Sequence, residues 1–469
     1  MKKHTLFPVG NGRKVCTALL LGGVGIVGAN AQDLKENSTT DESGNHISIV
    51  KTSQDTTVYK ILEKDRPGSL NDIPVPHFAI HTQNNNFVMT IGAQINPIIG
   101  VDMGSNLYRQ DNAGSSFVPS AIPVPAPAGG KSDFFINAFN ANFDFQVVGF
   151  GGTDNQITGY LKFGTNGNNN NMRLKKAFLT WRGLSAGYKT SLFTDGDSSP
   201  ATIDPQGPNG MVSTTVNEIS YESPSFGGFT FAAGVDMPSY YSSQGYYLGK
   251  DYQSWQGTPI AGAQVVDPTY YSMTVPDIPL YVQYTDNKYV RVKLAGLIRT
   301  KFYRDILDQK KRTTMGWGLS LTGNIMPTDA LTIYLQGNYG QGIGAYIQDL
   351  AGLPLSYVPD DSKPGKMKAA PMMGWLAGLT YNFNKQWQTN LMFSQARIWD
   401  VSPYATHDAD STNSNVNNYK YGLYTAANVF YNISSYFSVG IEYLYGYRKT
   451  WNAGSGHDNR LQMQLEFTL

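Results

Sequence analysis

The chain has 469 residues, with 36 Lys+Arg against 35 Asp+Glu and a formal net charge of +1. That balance leaves no basic footprint and excludes a nucleic-acid binder. The single cysteine excludes a disulfide framework, and the six histidines include none at metal-ligand spacing.

The chain opens as a secretory leader. Lys2, Lys3, Arg13 and Lys14 form a basic region, 15–28 is a short apolar core, and Ala29-Asn30-Ala31 is a small-x-small cleavage site. The expected leader is 1–31, with Gln32 the first mature residue. Cys16 lies at the start of that run, most of which follows it, and is expected to leave with the leader. No later stretch holds 18 consecutive apolar residues, so no membrane helix is expected. The negative mean hydropathy suits a soluble protein. It suits a transmembrane barrel equally, because every second strand residue of a barrel faces water.

Residues 32–85 are polar and lack sustained periodicity. They carry Asp33, Glu36, Asp41 and Glu42, a stretch read as a short helix at 56–64, and Pro67, Pro74 and Pro76, which keep the rest extended. The reading is a periplasmic N-terminal arm, with disorder as its alternative.

From Phe87 to the end the pattern has period two. Phe87, Met89, Ile91, Ala93 and Ile95 alternate with Val88, Thr90, Gly92, Gln94 and Asn96. Phe135, Phe139, Ala141, Phe143 and Phe145 form one face of the next segment, and Asn140, Asn142, Asp144 and Gln146 the other. Further strands are read at 157–164, 173–183, 185–193, 215–222, 229–235, 278–285, 290–299, 315–322, 331–335, 375–381, 387–393 and 419–430. The last two are the clearest. Phe437, Val439, Ile441, Tyr443, Tyr445 and Tyr447 alternate with Ser438, Gly440, Glu442, Leu444, Gly446 and Arg448. Leu461, Met463, Leu465, Phe467 and Leu469 alternate with Arg460, Gln462, Gln464, Glu466 and Thr468. About ten residues is the length a tilted strand needs to cross hydrocarbon. The reading is all-β: a transmembrane antiparallel β-barrel over 86–469, up-and-down, of about 16 strands.

Short connections such as 286–288, 326–329, 382–385 and 432–434 carry turn residues. Long ones, at 104–133, 239–277, 342–371 and 400–418, lie between them. Short turns at one end and long loops at the other is the arrangement of outer-membrane barrels. A soluble β-sandwich alternates too, but rarely keeps such long strands with so aromatic a face.

Signals for catalysis are thin, and no enzyme and no cofactor is expected. Gly340-Gln-Gly-Ile-Gly344 lacks the helix and the Lys-Ser/Thr of a phosphate loop and reads as a glycine-rich strand exit. Charges carry more. With the aromatic phase facing lipid, Lys162, Lys176, Arg182, Arg291, Lys293, Arg299, Arg448 and Arg460 point into the lumen. Asp144, Glu218, Asp236, Glu442 and Glu466 share it. Charge on the lipid face costs a few kcal/mol near the midplane, which enforces this phase. Either these are paired wall charges that keep the lumen wet, or a basic ladder faces an acidic loop across a narrow pore and favours small anions. The stretch 191–210, SLFTDGDSSPATIDPQGPNG, holds Asp195, Asp197 and Asp204 among prolines and glycines. It reads as a rigid constriction loop first and a cation or carboxylate site second.

Three runs carry a resemblance: Arg173-Leu-Lys-Lys-Ala-Phe-Leu, Gly187-Tyr-Lys-Thr-Ser-Leu-Phe, and Pro200-Ala-Thr-Ile-Asp-Pro-Gln-Gly-Pro-Asn-Gly210. With Ala427-Asn-Val-Phe-Tyr, Gly440-Ile-Glu-Tyr, Gly446-Tyr-Arg448 and Arg460-Leu-Gln, the chain resembles the DcaP-like outer-membrane porins over 173–222 and 426–469. The resemblance implies a 16-stranded homotrimeric channel in a Gram-negative outer membrane. It implies passage of small anionic solutes such as dicarboxylates, drawn by lumen Arg and Lys. The chain departs from the family in having no heptads in 32–85, and in ending on Leu469 with Phe467 two residues before. The expected function is passive diffusion of small hydrophilic solutes, with outer-membrane lipid as the surroundings. The alternative is a barrel whose aromatic loop 239–277, with Tyr240, Tyr241, Tyr246, Tyr247, Tyr252 and Trp255, binds glycans.

Overall fold

The computed structural model describes residues 87–104, 116–124, 131–137, 141–151, 153–166, 169–237, 275–286, 289–304, 311–351, 353, 355–360, 367–399, 419–434, 436–451 and 454–468, together with short strands upstream. Two compact units are present, 1–65 with 81–88 and 66–80 with 89–469.

In the first unit Asn37–Thr40, Asn45–Ile49 and Ile61–Lys64 form an antiparallel three-stranded meander. The helix read at 56–64 is therefore corrected: Ile61–Lys64 is a strand, and 56–60 lie outside the described residues. Pairing with Asn45–Ile49 in the meander overrides the helix preference of Leu62, Glu63 and Lys64.

The second unit holds a closed antiparallel barrel of 16 strands. β1 is Phe87–Ile95 continued by Ile98–Gly104, and β2 is Lys131–Asn137 continued by Ala141–Gly149. Then come β3 (Ile157–Asn166), β4 (Asn169–Trp181), β5 (Leu184–Thr190), β6 (Thr215–Glu222), β7 (Phe229–Met237) and β8 (Ile278–Thr285). β9 (Val290–Arg304), β10 (Lys311–Thr328), β11 (Leu331–Gln341), β12 (Pro371–Asn382) and β13 (Trp387–Ile398) follow. β14 (Tyr419–Asn432), β15 (Phe437–Thr450) and β16 (Ser455–Thr468) complete the wall. Each strand pairs with its neighbour in sequence. β16 closes the ring on both halves of β1, with Arg460 opposite Asp102 and Phe467 opposite Ile95. Pro97 splits β1 because it has no N–H to give the ladder, though its carbonyl still accepts from Leu465.

The two faces follow the period-two pattern. On β15, Ile441 is 54% exposed and Tyr443 43%, whereas Glu442 and Leu444 between them are wholly buried. Leu179, Ile219, Phe231, Leu319, Leu335 and Leu461 continue the exposed apolar belt around the outside. Such a belt on a closed, edgeless sheet is stable in hydrocarbon and not in water. Two expected faces change. Phe134 and Ile136 face out and Phe135 faces in. The phase differs between the two described halves of β2, Lys131–Asn137 and Ala141–Gly149, and a slip of one residue turns every side chain over. β5 ends at Thr190, so Ser191, Leu192 and Phe193 belong to the following loop and are buried in the lumen.

Loops fill the lumen with a second core. The third loop (191–214) and the sixth (342–370) bring Phe193, Val212, Ile343, Tyr346, Ile347 and Leu350 against Leu297, Met372, Ile398 and Tyr419 of the wall. The first loop places Phe117 and Ile122 on Met392, Tyr424 and Leu444. Ile203 of the third loop meets Ile98, Phe135 and Phe430. Inward-facing apolar side chains are thereby satisfied by loops rather than left in water. Contact is close enough to require glycine on both sides. A Cβ on Gly374 of β12 would stand 2.1 Å from the Gly210 carbonyl oxygen, and one on Gly210 would stand 2.2 Å from the carbonyl of Gln395.

Candidate functional site

The third loop is fixed at its start by wall cations. Arg291 on β9 contacts Asp195 at 2.9 Å and Asp197 at 3.7 Å, and donates to Gln283 at 2.8 Å. Thr322 on β10 also donates to Asp195. Lys293 donates to the Thr194 carbonyl at 2.8 Å and lies 4.4 Å over the Tyr281 ring. Burial alone would raise the Asp195 carboxyl, but Arg291 and then Lys293 outweigh it and hold it down at about 2. The basic residues and the acidic loop expected from the sequence do meet. They meet in direct contact, however, and not across open water. Asp197 is the more exposed of the two acids.

The middle of the loop hangs on Glu442 of β15. Its carboxylate accepts from the N–H groups of Ile203 (3.0 Å) and Asp204 (2.9 Å), from Asn428 (2.8 Å) and from Gln462 (2.9 Å). Asp204 in turn accepts from the N–H of Phe117 in the first loop (2.9 Å), from Gln206 and Gly207, and from the Tyr424 hydroxyl (2.9 Å). Burial, and then the neighbouring Glu442, raise the Asp204 carboxyl to about 7 against the opposing N–H groups and Arg460.

The folded Asp204 thus keeps a proton that an unfolded aspartate, with an ordinary value of 3.8, has lost. The seat of the loop is firmest below about pH 4, weakens as pH rises to about 7 and is level above that. Hydrogen-exchange protection of the Ile203 to Gly207 amides, corrected for intrinsic rate, is expected to fall between about pH 5 and about pH 8. Asp204→Asn is expected to abolish the fall. Constant protection in the unmodified protein would show that this carboxyl is not titrating there.

Asp349 in the sixth loop joins three elements. It accepts from the N–H of Ser120 in the first loop (2.9 Å), from Asn209 in the third (3.4 Å) and from the Tyr419 hydroxyl of the wall (2.7 Å). Burial raises its pKa. A further cluster anchors the first residues of the third and sixth loops. Glu218 accepts from Leu192 N–H (2.7 Å) and pairs with Lys189 (2.9 Å). Asp236 accepts from Ser191, and the Tyr346 hydroxyl lies between Asp236 (3.2 Å) and Asp277 (3.0 Å). Arg299 pairs with Asp277 at 2.8 Å and donates to the Gly342 carbonyl. Arg448 donates to the Ile122 carbonyl at 3.0 Å.

Arg291, Lys293, Arg299, Arg448 and Glu218 all point inward, but each is buried and holds a loop. Arg182 departs further from expectation. It occupies the tight turn between β4 and β5 with φ +49°, and donates to the Asp154 carbonyl (2.8 Å) and to Asn155 (2.9 Å). A turn residue follows neither phase of the adjoining strands.

Open space remains under the third loop, toward the short turns. A cavity of about 650 Å³ is bounded by Ala201–Pro205 of that loop and by an arc of wall from β13 to β4. Asp144 (β2), Lys162 (β3) and Lys175 (β4) line one end. Asp144 is the register partner of Lys162, and Lys162 of Lys176. A bulge between Leu174 and Lys176 brings in Lys175, which donates to Asn142 at 2.6 Å. Alternation alone gives one inward lysine here, because it has no place for the extra residue of a bulge. The adjacent Lys-Lys pair was the available signal. Asp349 was missed as well. Its signal was the apolar spacing of Ile343, Ile347, Leu350, Leu353 and Leu355 within an apparent surface loop. The aromatic loop of the glycan reading, 239–277, lies outside the described residues except for 275–277. Among the described residues no group of three or more His, Cys, Asp or Glu is placed to hold a metal ion.

No family model and no curated protein matches the sequence. Solved structures do match. The outer-membrane channel DcaP of Acinetobacter baumannii aligns with a TM-score of 0.64 at 15% identity, over 83% of this chain and 99% of that one. OmpF of Salmonella typhi in complex with daunomycin gives 0.49 at 9%, over 84% and 100%. The anion-selective porin of Comamonas acidovorans gives 0.46 at 12%, over 82% and 100%. With the apolar belt, the likeness to DcaP makes the fold that of an outer-membrane porin barrel.

Proposed function

We propose that this barrel is a passive channel for small hydrophilic solutes in a Gram-negative outer membrane, and that it prefers anions such as dicarboxylates. No catalytic step is involved. The observation that supports the preference is that Lys162 and Lys175 line the cavity beside Asp144, with Lys176 in register with Lys162 on the next strand. Like charges in register across two strands oppose folding by up to about 1 kcal/mol. A passing anion relieves that repulsion and is concentrated by the local field. The homotrimer implied by the resemblance in 173–222 and 426–469 belongs to the same reading.

Planar-bilayer recording in a salt gradient tests it. The reversal potential is expected on the anion side. Lys162→Gln with Lys175→Gln is expected to lower the anion-to-cation permeability ratio roughly twofold or more. A cation-selective current would remove the preference, and absence of current would remove the channel.

A further inference from the structure

The outer surface of the wall changes character at one rim. β13 starts after the short connection 383–386 and runs to Ile398, so Arg397 stands at its long-loop end. Tyr421, near the start of β14, and Lys449, near the end of β15, share that rim. Arg397 is the register partner of Tyr421, and Tyr421 of Lys449. All three fall on the outward phase, that of Phe393 on β13, Val429 on β14 and Ile441 on β15. Two strand spacings set Arg397 and Lys449 about 10 Å apart. A bulge between Tyr419 and Tyr421 adds Lys420 to the rim, with its ammonium 4.5 Å over the Trp451 ring.

These cations lack counter-charges on the wall. Among the described residues, the outward positions of β12 to β16 hold no Asp or Glu. The Arg397 guanidinium lies over the rings of Trp399 (5.1 Å) and Tyr421 (5.7 Å), and its Nε is buried with no hydrogen-bond partner. Ring contact holds a guanidinium in place without using its donors. Away from the rim, Tyr447, Tyr445, Tyr443 and Ile441 follow Lys449 along the outside of β15. Tyrosines of this kind mark the boundary between hydrocarbon and headgroups. Lys449 stands one pleat beyond them, about 7 Å on.

We propose that this rim binds the phosphate groups of the phosphorylated glycolipid in the outer leaflet of the outer membrane. Long loops face outward in such barrels, which puts the row at that leaflet's headgroups. Arg397 presents a planar fork of donors to a phosphate, and Lys449 and Lys420 act as point charges beside it. Three cations without an acid repel one another, and a phosphate relieves that repulsion. Basic side chains clustered at a membrane surface attract anionic headgroups for the same reason. The apolar belt next to the row receives the acyl chains. The proposal needs the outer-membrane placement and not the anion preference, since the row lies outside the lumen.

Native mass spectrometry of the detergent-solubilised protein tests this. The probes are bis-phosphorylated lipid A, the same glycolipid stripped of both phosphates, and inorganic phosphate as a competitor. Lipid A is expected to bind about tenfold tighter than the stripped glycolipid, and inorganic phosphate at equal concentration is expected not to displace it. Arg397→Gln with Lys449→Gln is expected to weaken lipid A about tenfold and to leave single-channel conductance and reversal potential unchanged. A heat-modifiable gel shift confirms that the variant is folded. Lys449→Gln alone removes no ring contact, so it remains usable if the double variant fails to fold. It is expected to weaken lipid A about threefold. Equal binding of the two glycolipids, displacement by inorganic phosphate, or unchanged lipid A affinity in the folded variants would each overturn the proposal. So would a loss of oligomer mass in the double variant, which would make the rim a contact between copies of this chain. The two readings fail separately. Lipid A binding without bilayer current overturns the channel and keeps the site. Anion-selective current in a protein indifferent to the phosphates does the reverse.

Discussion

Arg460→Met is expected to destabilise the folded barrel by about 3–5 kcal/mol, the usual effect of stripping one partner from a buried ion pair. Arg460 on β16 and Asp102 on β1 are direct register partners across the seam where the last strand meets the first. Both side chains are fully buried, and the guanidinium takes both carboxylate oxygens, the second at 3.1 Å. The rings of Phe117 (5.3 Å) and Phe135 (4.9 Å) flank it. Without the arginine, the Asp102 carboxylate keeps its burial and loses its cation. Arg460→Met combined with Asp102→Leu is expected to recover most of the loss, because an apolar pair leaves no stranded charge. The urea midpoint of unfolding from lipid vesicles, followed by tryptophan fluorescence, measures both. A single variant within about 0.5 kcal/mol of the unmodified protein would show that the pair does not hold the seam.

Asp349→Ala is expected to raise single-channel conductance and current noise while leaving the barrel intact. The substitution removes one acceptor from Ser120 N–H, Asn209 and the Tyr419 hydroxyl together. The Tyr419 hydroxyl keeps the Ala396 carbonyl, but each other stranded buried donor costs about 1–3 kcal/mol, so the seat shared by the first, third and sixth loops is weakened by about 2–6 kcal/mol. The wall does not depend on that carboxylate, because its ladder is strand to strand. The heat-modifiable gel shift is therefore expected to persist. Asp349→Asn keeps an acceptor oxygen and is expected to fall between the two. Conductance and noise equal to those of the unmodified protein would show that apolar packing of Tyr346, Ile347 and Leu350 alone holds the loops.

Strand phase was legible where lipid enforces it. On β15 the alternation of Ile441, Tyr443 and Tyr445 with Glu442, Leu444 and Gly446 appears in the structure as out and in. It failed where one extra residue intervenes. Phe135 faces in, out of phase with the second half of β2, and the bulge at Lys175 added a second inward lysine. A period-two rule has no term for either event. Arg182 failed for a related reason, since it sits in a turn with φ +49° and not on a strand.

By itself the sequence determined a barrel, its 16 strands and the alternation of its two faces. Those follow from a local rule, one apolar side chain in two, applied strand after strand. The tertiary structure decided what the inward charges touch. Arg291, Arg299, Arg448 and Glu442 look the same along the chain whether they meet water or a loop. Only the folded third, sixth and first loops make them anchors. The contacts that settle this join residues far apart in sequence, as Asp204 with Glu442 and Asp102 with Arg460 do. No local pattern encodes those pairings. They depend on closure of the ring, which brings the first strand to the last and leaves one shared interior for the loops to fill.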